Sequence, residues 1–160
     1  MFFINQKMRW FLTLSLMIVP MTFWGQTYQQ QAVAAVLMGE AWSEGAQGMT
    51  AVAEVIHQRA VEKQWTPLRV VAAARGKVHA FSCVNGTTID RLIQKFSQEP
   101  SYQLALQIAQ TTCLDPPAGS PGMTKFATHY TLATERPYWA RDQRPVAIIG
   151  RHAFYKLKNY

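Results

Sequence analysis

Seven consecutive apolar residues, 32–38 (AVAAVLM), run directly into Gly39 and Glu40. A helix built on that run is apolar on every side, so other elements must surround it. The chain therefore needs several partners for its first helix, expected from Tyr28 to about Trp42. The next segment supplies one. Met49, Val52, Ala53, Ile56 and Ala60 recur at helical spacing, giving an amphipathic helix that should stop near Trp65.

The placement of Glu40 is the second constraint. Desolvation at the end of a buried helix favours a protonated carboxyl, the state a general acid needs. Glu44 follows four residues on. A continuous helix would bring the two Cβ atoms within about 6 Å. By pattern alone an ordinary pair is the simpler account, with Glu40 turned to water and Glu44 capping the next helix.

Further along, Thr66, Pro67 and Gly76 read as N-cap, first helical residue and terminator of a helix over 66–76. Residues 88–96 (TIDRLIQKF) form a short helix. Ser101 can cap another that places Tyr102, Ala105, Leu106 and Ala109 on one face. Residues 115–122 (DPPAGSPG) form a loop. Residues 125–133 (KFATHYTLA) are β-prone, with Tyr130 and Leu132 facing one way and His129 and Thr131 the other. Two short strands follow in "RPVAIIG" and "HAFY". Helices first and strands last define an α+β fold, a helical N-terminal core with a small C-terminal antiparallel sheet.

The N-terminus stands apart. Lys7 and Arg9 precede a 15-residue apolar stretch, 10–24, shorter than the roughly 20 residues of a spanning helix. Residues 1–25 are expected to be a signal peptide or an uncleaved anchor, and 26–160 a single domain. The chain carries a net charge of +7; removing Lys7 and Arg9 from its 16 Lys and Arg leaves +5. The remaining basic residues are scattered without a nucleic-acid signature. In an exported protein they point to anionic envelope polymers or lipid headgroups. Export also permits a disulfide between the two cysteines, Cys83 and Cys113; two unpaired buried thiols are the alternative.

Other chemistry finds little support. His57, His79, His129 and His152 show no metal-ligand spacing. Ser82 and Cys83 lack the surroundings of a hydrolase nucleophile. The rings of Trp42, Phe81, Tyr130, Tyr138 and Trp139 suit either a sugar groove or a core.

Taken in order, the blocks "GEAWSEGAQGMTAVAEVIHQR", "FSCV", "DPPAGSPGMTKFATHY", "PYWA" and "IGRHAFY" resemble the SleB/CwlJ-type cell wall hydrolases over about residues 32–155. The chain departs from that pattern at Gln58, Ala80 and Thr131, where Asn, Gln and His are expected, and "SPGMTK" lengthens a loop. The resemblance implies a lysozyme-like or lytic-transglycosylase-like domain that cleaves between N-acetylmuramic acid and N-acetylglucosamine. It places the catalytic acid/base at Glu40. Glu44, Ser82, His129, Tyr130 and Trp139 are expected to bind substrate or tune the site. It implies no metal or cofactor, peptidoglycan glycan strands as partner, no nucleic acid, and a monomer acting in the periplasm, cell wall or spore envelope. An envelope protein that targets the enzyme is left open. Two other readings stand beside it: a hydrolytic muramidase using a second carboxylate, and a non-catalytic wall-binding protein on the same fold.

Overall fold

The structure is a computed structural model that describes residues 25–157. The expected signal segment lies outside them but for Gly25. No helix among the described residues is long and apolar enough to cross a membrane.

Helix α1 (Tyr28–Ala41) starts where Thr27 Oγ1 accepts the Gln30 N–H at 3.1 Å. Its residues 32–38 are no more than 2% exposed, as an all-round apolar run requires. Helices α2 (Gly45–Lys63), α3 (Pro67–Ala72), α4 (Ile89–Phe96) and α5 (Tyr102–Ile108) pack around it. Small side chains at Ala32, Ala34 and Ala35 let these neighbours come close.

The chain does not run as one helix through Glu44. A 3₁₀ turn (Trp42–Glu44) separates α1 from α2, and Gly45 follows at φ +63°, a backbone state that a Cβ disfavours. Glu40 and Glu44 therefore do not share a helical face, and Glu44, at the N-cap position of α2, makes no side-chain cap.

Helix α2 buries two stripes. Met49, Val52, Ala53, Ile56 and Ala60 join the core around α1. Ala51 and Val55 pack instead on Ile149 and Phe154. The helix thus partitions the helical core from the sheet. Its end at Gln64, in the left-handed region at φ 54°, agrees with the expected stop.

Two expected boundaries move. Helix α3 has its Thr66 cap and its Pro67 but ends at Ala72. Gly76, at φ +64°, turns a hairpin between β1 (Ala74–Arg75) and β2 (Val78–His79) instead of closing the helix. The strand expected over 125–133 is shorter, β3 (His129–Leu132), because Lys125 and Phe126 both take positive φ and the chain turns there. Ser101 stands before α5 without a side-chain cap, and α5 continues as π-helical turns through Ala109–Leu114.

The C-terminal sheet has the order β3-β5-β4, all antiparallel, with β4 at Ala147–Ile149 and β5 at His152–Tyr155. Tyr130 pairs with Phe154 and Leu132 with His152. These four residues share the face that meets α2. His129 pairs with Tyr155 and Thr131 with Ala153. Their face is covered by the turn Tyr138–Ala140 and Trp139. The architecture is the expected α+β arrangement.

Candidate active site

The helical core delivers Glu40 to the last turn of α1, half-buried, next to Gly39. A Cβ on Gly39 would stand 2.6 Å from Cys83 Cβ and 2.8 Å from Cys83 Sγ. Glycine is what lets the 3₁₀ turn Ser82–Val84 lie against α1 at this point. The turn then supplies two donors to Glu40 Oε1: the Cys83 backbone N–H at 2.7 Å and the Ser82 hydroxyl at 3.0 Å. The other oxygen, Oε2, accepts the Tyr130 hydroxyl at 2.8 Å. Segments separated by 42 to 90 positions in sequence thus meet on one carboxylate.

The surroundings set the state of each donor. Burial, the Glu40 charge and the hydrogen bond to Glu40, in that order, hold the Tyr130 phenol well above its ordinary range, so the hydroxyl keeps its proton. Burial chiefly, and the Glu40 carboxylate next, push the Cys83 thiol up as well. A thiol kept protonated is a poor nucleophile. Cys83 therefore contributes its backbone N–H to the site.

No disulfide forms between Cys83 and Cys113; both are free thiols. Cys83 Sγ is directed at the Val36 carbonyl at 3.9 Å. Cys113 is buried in the helical core, and its carbonyl contacts His57 Nδ1 at 3.1 Å.

Glu44 is held elsewhere. Its side chain is only 6% exposed and reaches β5, where Oε1 lies 2.9 Å from His152 Nδ1 and 3.5 Å from Arg151 Nε. Its Oε2 accepts the Arg151 N–H at 3.3 Å. The His152 contact has the distance of an ion pair without the line of a straight hydrogen bond. Gly48 and Gly150 make room for this side chain, since a Cβ on Gly48 would collide with the Glu44 Cβ and one on Gly150 with its carboxylate. The His152 ring meets the Tyr130 ring edge-on at 5.3 Å. Glu44 is thus linked to Glu40 through His152 and Tyr130.

The strand alternation separates the remaining expected residues. Tyr130 faces Glu40. His129 and Trp139 lie on the other face of the sheet, their rings 5.3 Å apart, and Trp139 packs edge-on against Tyr155 at 5.4 Å. The structure therefore brings Glu40, Ser82, Cys83 and Tyr130 together and leaves His129 and Trp139 apart from them. Burial, with the charges of Arg59 and Lys63, lowers the His129 pKa from 6.5 to about 4.

Two residues gain a role that the sequence did not suggest. Glu54, within the apolar stretch of α2, accepts the N–H groups of Met123 and Thr124 at 3.0 and 2.8 Å and the Thr124 hydroxyl at 2.7 Å. It fixes the proline- and glycine-rich loop to the helix. Arg59 Nε donates to the Thr128 carbonyl at 2.6 Å, just before β3. A carboxylate flanked by alanine and valine was the signal for Glu54. Arg59 closes the first of the family-like blocks, but no local pattern gives it this partner.

The family model described as Cell Wall Hydrolase matches residues 43–155. The chain belongs to that family, the SleB/CwlJ-type cell wall hydrolases. The match takes in Glu44, Ser82, His129, Tyr130 and Trp139, and begins three residues after Glu40. The chain matches no curated protein and no solved structure. A cell wall hydrolase of this family acts on peptidoglycan, and the hydrolase here gathers its polar donors on one carboxylate.

Proposed function

We propose that this cell wall hydrolase is an exported lytic transglycosylase with a lysozyme-like catalytic core. It cleaves the bond between N-acetylmuramic acid and N-acetylglucosamine, with Glu40 as general acid and base. The observation that carries the reading is the set of three donors on Glu40. A backbone N–H can only donate, so Oε1 remains an acceptor. Oε2 faces a hydroxyl, which can turn to accept, and is the oxygen suited to carry the proton.

The steps balance on that one group. Protonated Glu40 gives its proton to the glycosidic oxygen as the bond from the muramic C1 breaks. The resulting carboxylate takes the proton of the muramic C6 hydroxyl, whose oxygen closes on C1. The product is a 1,6-anhydro ring, and Glu40 ends protonated as it began. The nucleophile belongs to the substrate. An ordinary two-carboxylate glycosidase needs a second carboxylate about 5 to 9.5 Å from the first. Glu44 is a poor candidate for that role, since it is buried and engaged by Arg151 and His152. Export belongs to the same reading and rests on the charged and apolar segments of residues 1–25.

Replacing Glu40 by Gln keeps the shape and removes the transferable proton. Clearing of purified sacculi should fall by about 10²–10⁴-fold, the usual worth of a general acid/base, with folding intact by circular dichroism. Unchanged clearing would remove Glu40 from the chemistry. Absence of clearing by the unsubstituted protein would favour a wall-binding role.

A further inference from the structure

A cavity of about 650 Å³ lies between α2 and the proline- and glycine-rich loop, and the proposed chemistry does not use it. The volume is that of a small-molecule site. Thr50, Glu54, His57 and Val61 line it from α2, while Ala51 and Val55 of the same helix face the sheet. None of Ser82, Cys83 and Tyr130, the donors to Glu40, lines it. It is a second site, apart from the first.

The wall opposite α2 includes the segment "SPGMTK", residues 120–125, that lengthens the loop relative to the family pattern. Glu54 anchors that segment through the three donors of Met123 and Thr124. A Cβ on Gly122 would collide with the same carboxylate, so glycine lets the loop lie on it. Pro116, Pro117 and Pro121 fix φ along the wall. Lys125 and Phe126 then take φ 52° and 64°, which side chains of their size rarely adopt. Phe126 lines the cavity and stays 39% exposed, although the Lys156 ammonium stands 5.2 Å from its ring centre. Such costly backbone states persist where the surrounding fold imposes them, and ligand clamps are among those places.

The lining selects by chemistry. Among its described residues there is no Lys, Arg or Asp, and the Glu54 charge is taken up by its three donors. A charged ligand finds no counter-ion there. Polar groups remain open. The Thr50 and Thr112 hydroxyls have no partner among the described residues. His57 Nδ1 faces the Cys113 carbonyl, which can only accept, so Nε2 of the neutral ring is an acceptor. Gln58 donates to Glu62 through Nε2, which leaves its carbonyl oxygen to accept. A wholly apolar ligand would leave these groups dry and unpaired. The match is a neutral ring that carries hydroxyl and amide groups and also offers an apolar face to Phe126.

We infer that this cavity binds an N-acetylglucosamine unit of a glycan strand, as a second hold on the wall apart from the bond being cut. That sugar is the neutral unit of the strand, whereas the muramic residue bears an acid or a peptide stem. The inference rests on the glycan reading above and adds a contact to it. A polymer repeats the unit many times, so a weak second contact raises adsorption without entering the chemistry.

The test is sedimentation with purified sacculi, using chains that carry Glu40→Gln so that the wall persists. Adding Phe126→Ala should weaken adsorption about tenfold, the low end for burying one large apolar side chain. Adding Thr112→Val should weaken it about threefold, the worth of one neutral hydrogen bond. Calorimetry with an N-acetylglucosamine tetramer should show the same losses, with circular dichroism unchanged. In chains that keep Glu40, both variants should raise KM on sacculi and leave kcat as it was. Adsorption and tetramer binding that neither variant weakens overturn the inference. Tighter binding of a soluble stem tetrapeptide than of the tetramer overturns it too. Tetramer binding that both variants weaken, in a protein that releases no muropeptides, sinks the transglycosylase and keeps the cavity.

Discussion

Tyr130 shows how much one atom can matter at the residue scale. Its hydroxyl donates to Glu40 while its ring packs on Phe154 and His152, at centroid distances of 5.7 and 5.3 Å. Tyr130→Phe removes only the hydroxyl. A hydrogen bond to a charged group is worth about 1.5–3 kcal/mol, so kcat should drop by roughly 10- to 100-fold in a sacculus-clearing assay, with little change in KM. A change confined to KM would show that Tyr130 binds glycan without tuning Glu40. His129 has a different signature. Its pKa is lower in the folded protein, about 4, than the ordinary 6.5. As pH falls from 6.5 toward 4 the unfolded chain takes up a proton that the folded one refuses, and stability declines across that window. His129→Asn should flatten the acid limb of a plot of Tm against pH between those values. An unchanged limb would assign it to other groups. At this scale the sequence marked Glu40 through its place after an apolar run. It could not reveal the donors, because Ser82 and Tyr130 reach Glu40 only through tertiary contacts.

At the scale of elements, the break between α1 and α2 decides what Glu44 does. Continuous helix geometry would have stacked it on Glu40. The 3₁₀ turn and Gly45 instead direct it toward β5, where it joins the helical core to the sheet. Glu44→Ala removes a buried carboxylate and leaves its partners unmatched, at a cost of about 1–3 kcal/mol. A lowered midpoint in urea denaturation would measure it, and activity should fall only as far as Tyr130 shifts. Loss of activity as deep as that of Glu40→Gln, with stability unchanged, would make Glu44 catalytic. The elements themselves were largely legible. Thr66 and Pro67 marked the start of α3, Ser101 marked the start of α5 without capping it, and apolar spacing marked the α2 stripe that faces α1. Its other stripe was not, since Ala51 and Val55 acquire a partner only when the sheet folds back on them. Glycines misled at Gly76, where a hairpin turn and a helix stop call for the same backbone state.

Over the whole molecule, a buried helix surrounded by four others presents its last turn to a short turn and one strand, and a second acid-bearing turn binds the sheet to that frame. The order of sequence blocks made this family legible over most of the chain. The packing that turns those blocks into one site depends on contacts across as many as 108 positions, which local pattern does not encode. The most direct measurement of the central claim is the mass of the muropeptides released from purified sacculi. A lytic transglycosylase working through Glu40 should yield 1,6-anhydro-muramic ends, one water lighter than hydrolysed ends, and Glu40→Gln should yield neither. Products at the full hydrolysed mass would contradict the account and require a second carboxylate or an activated water.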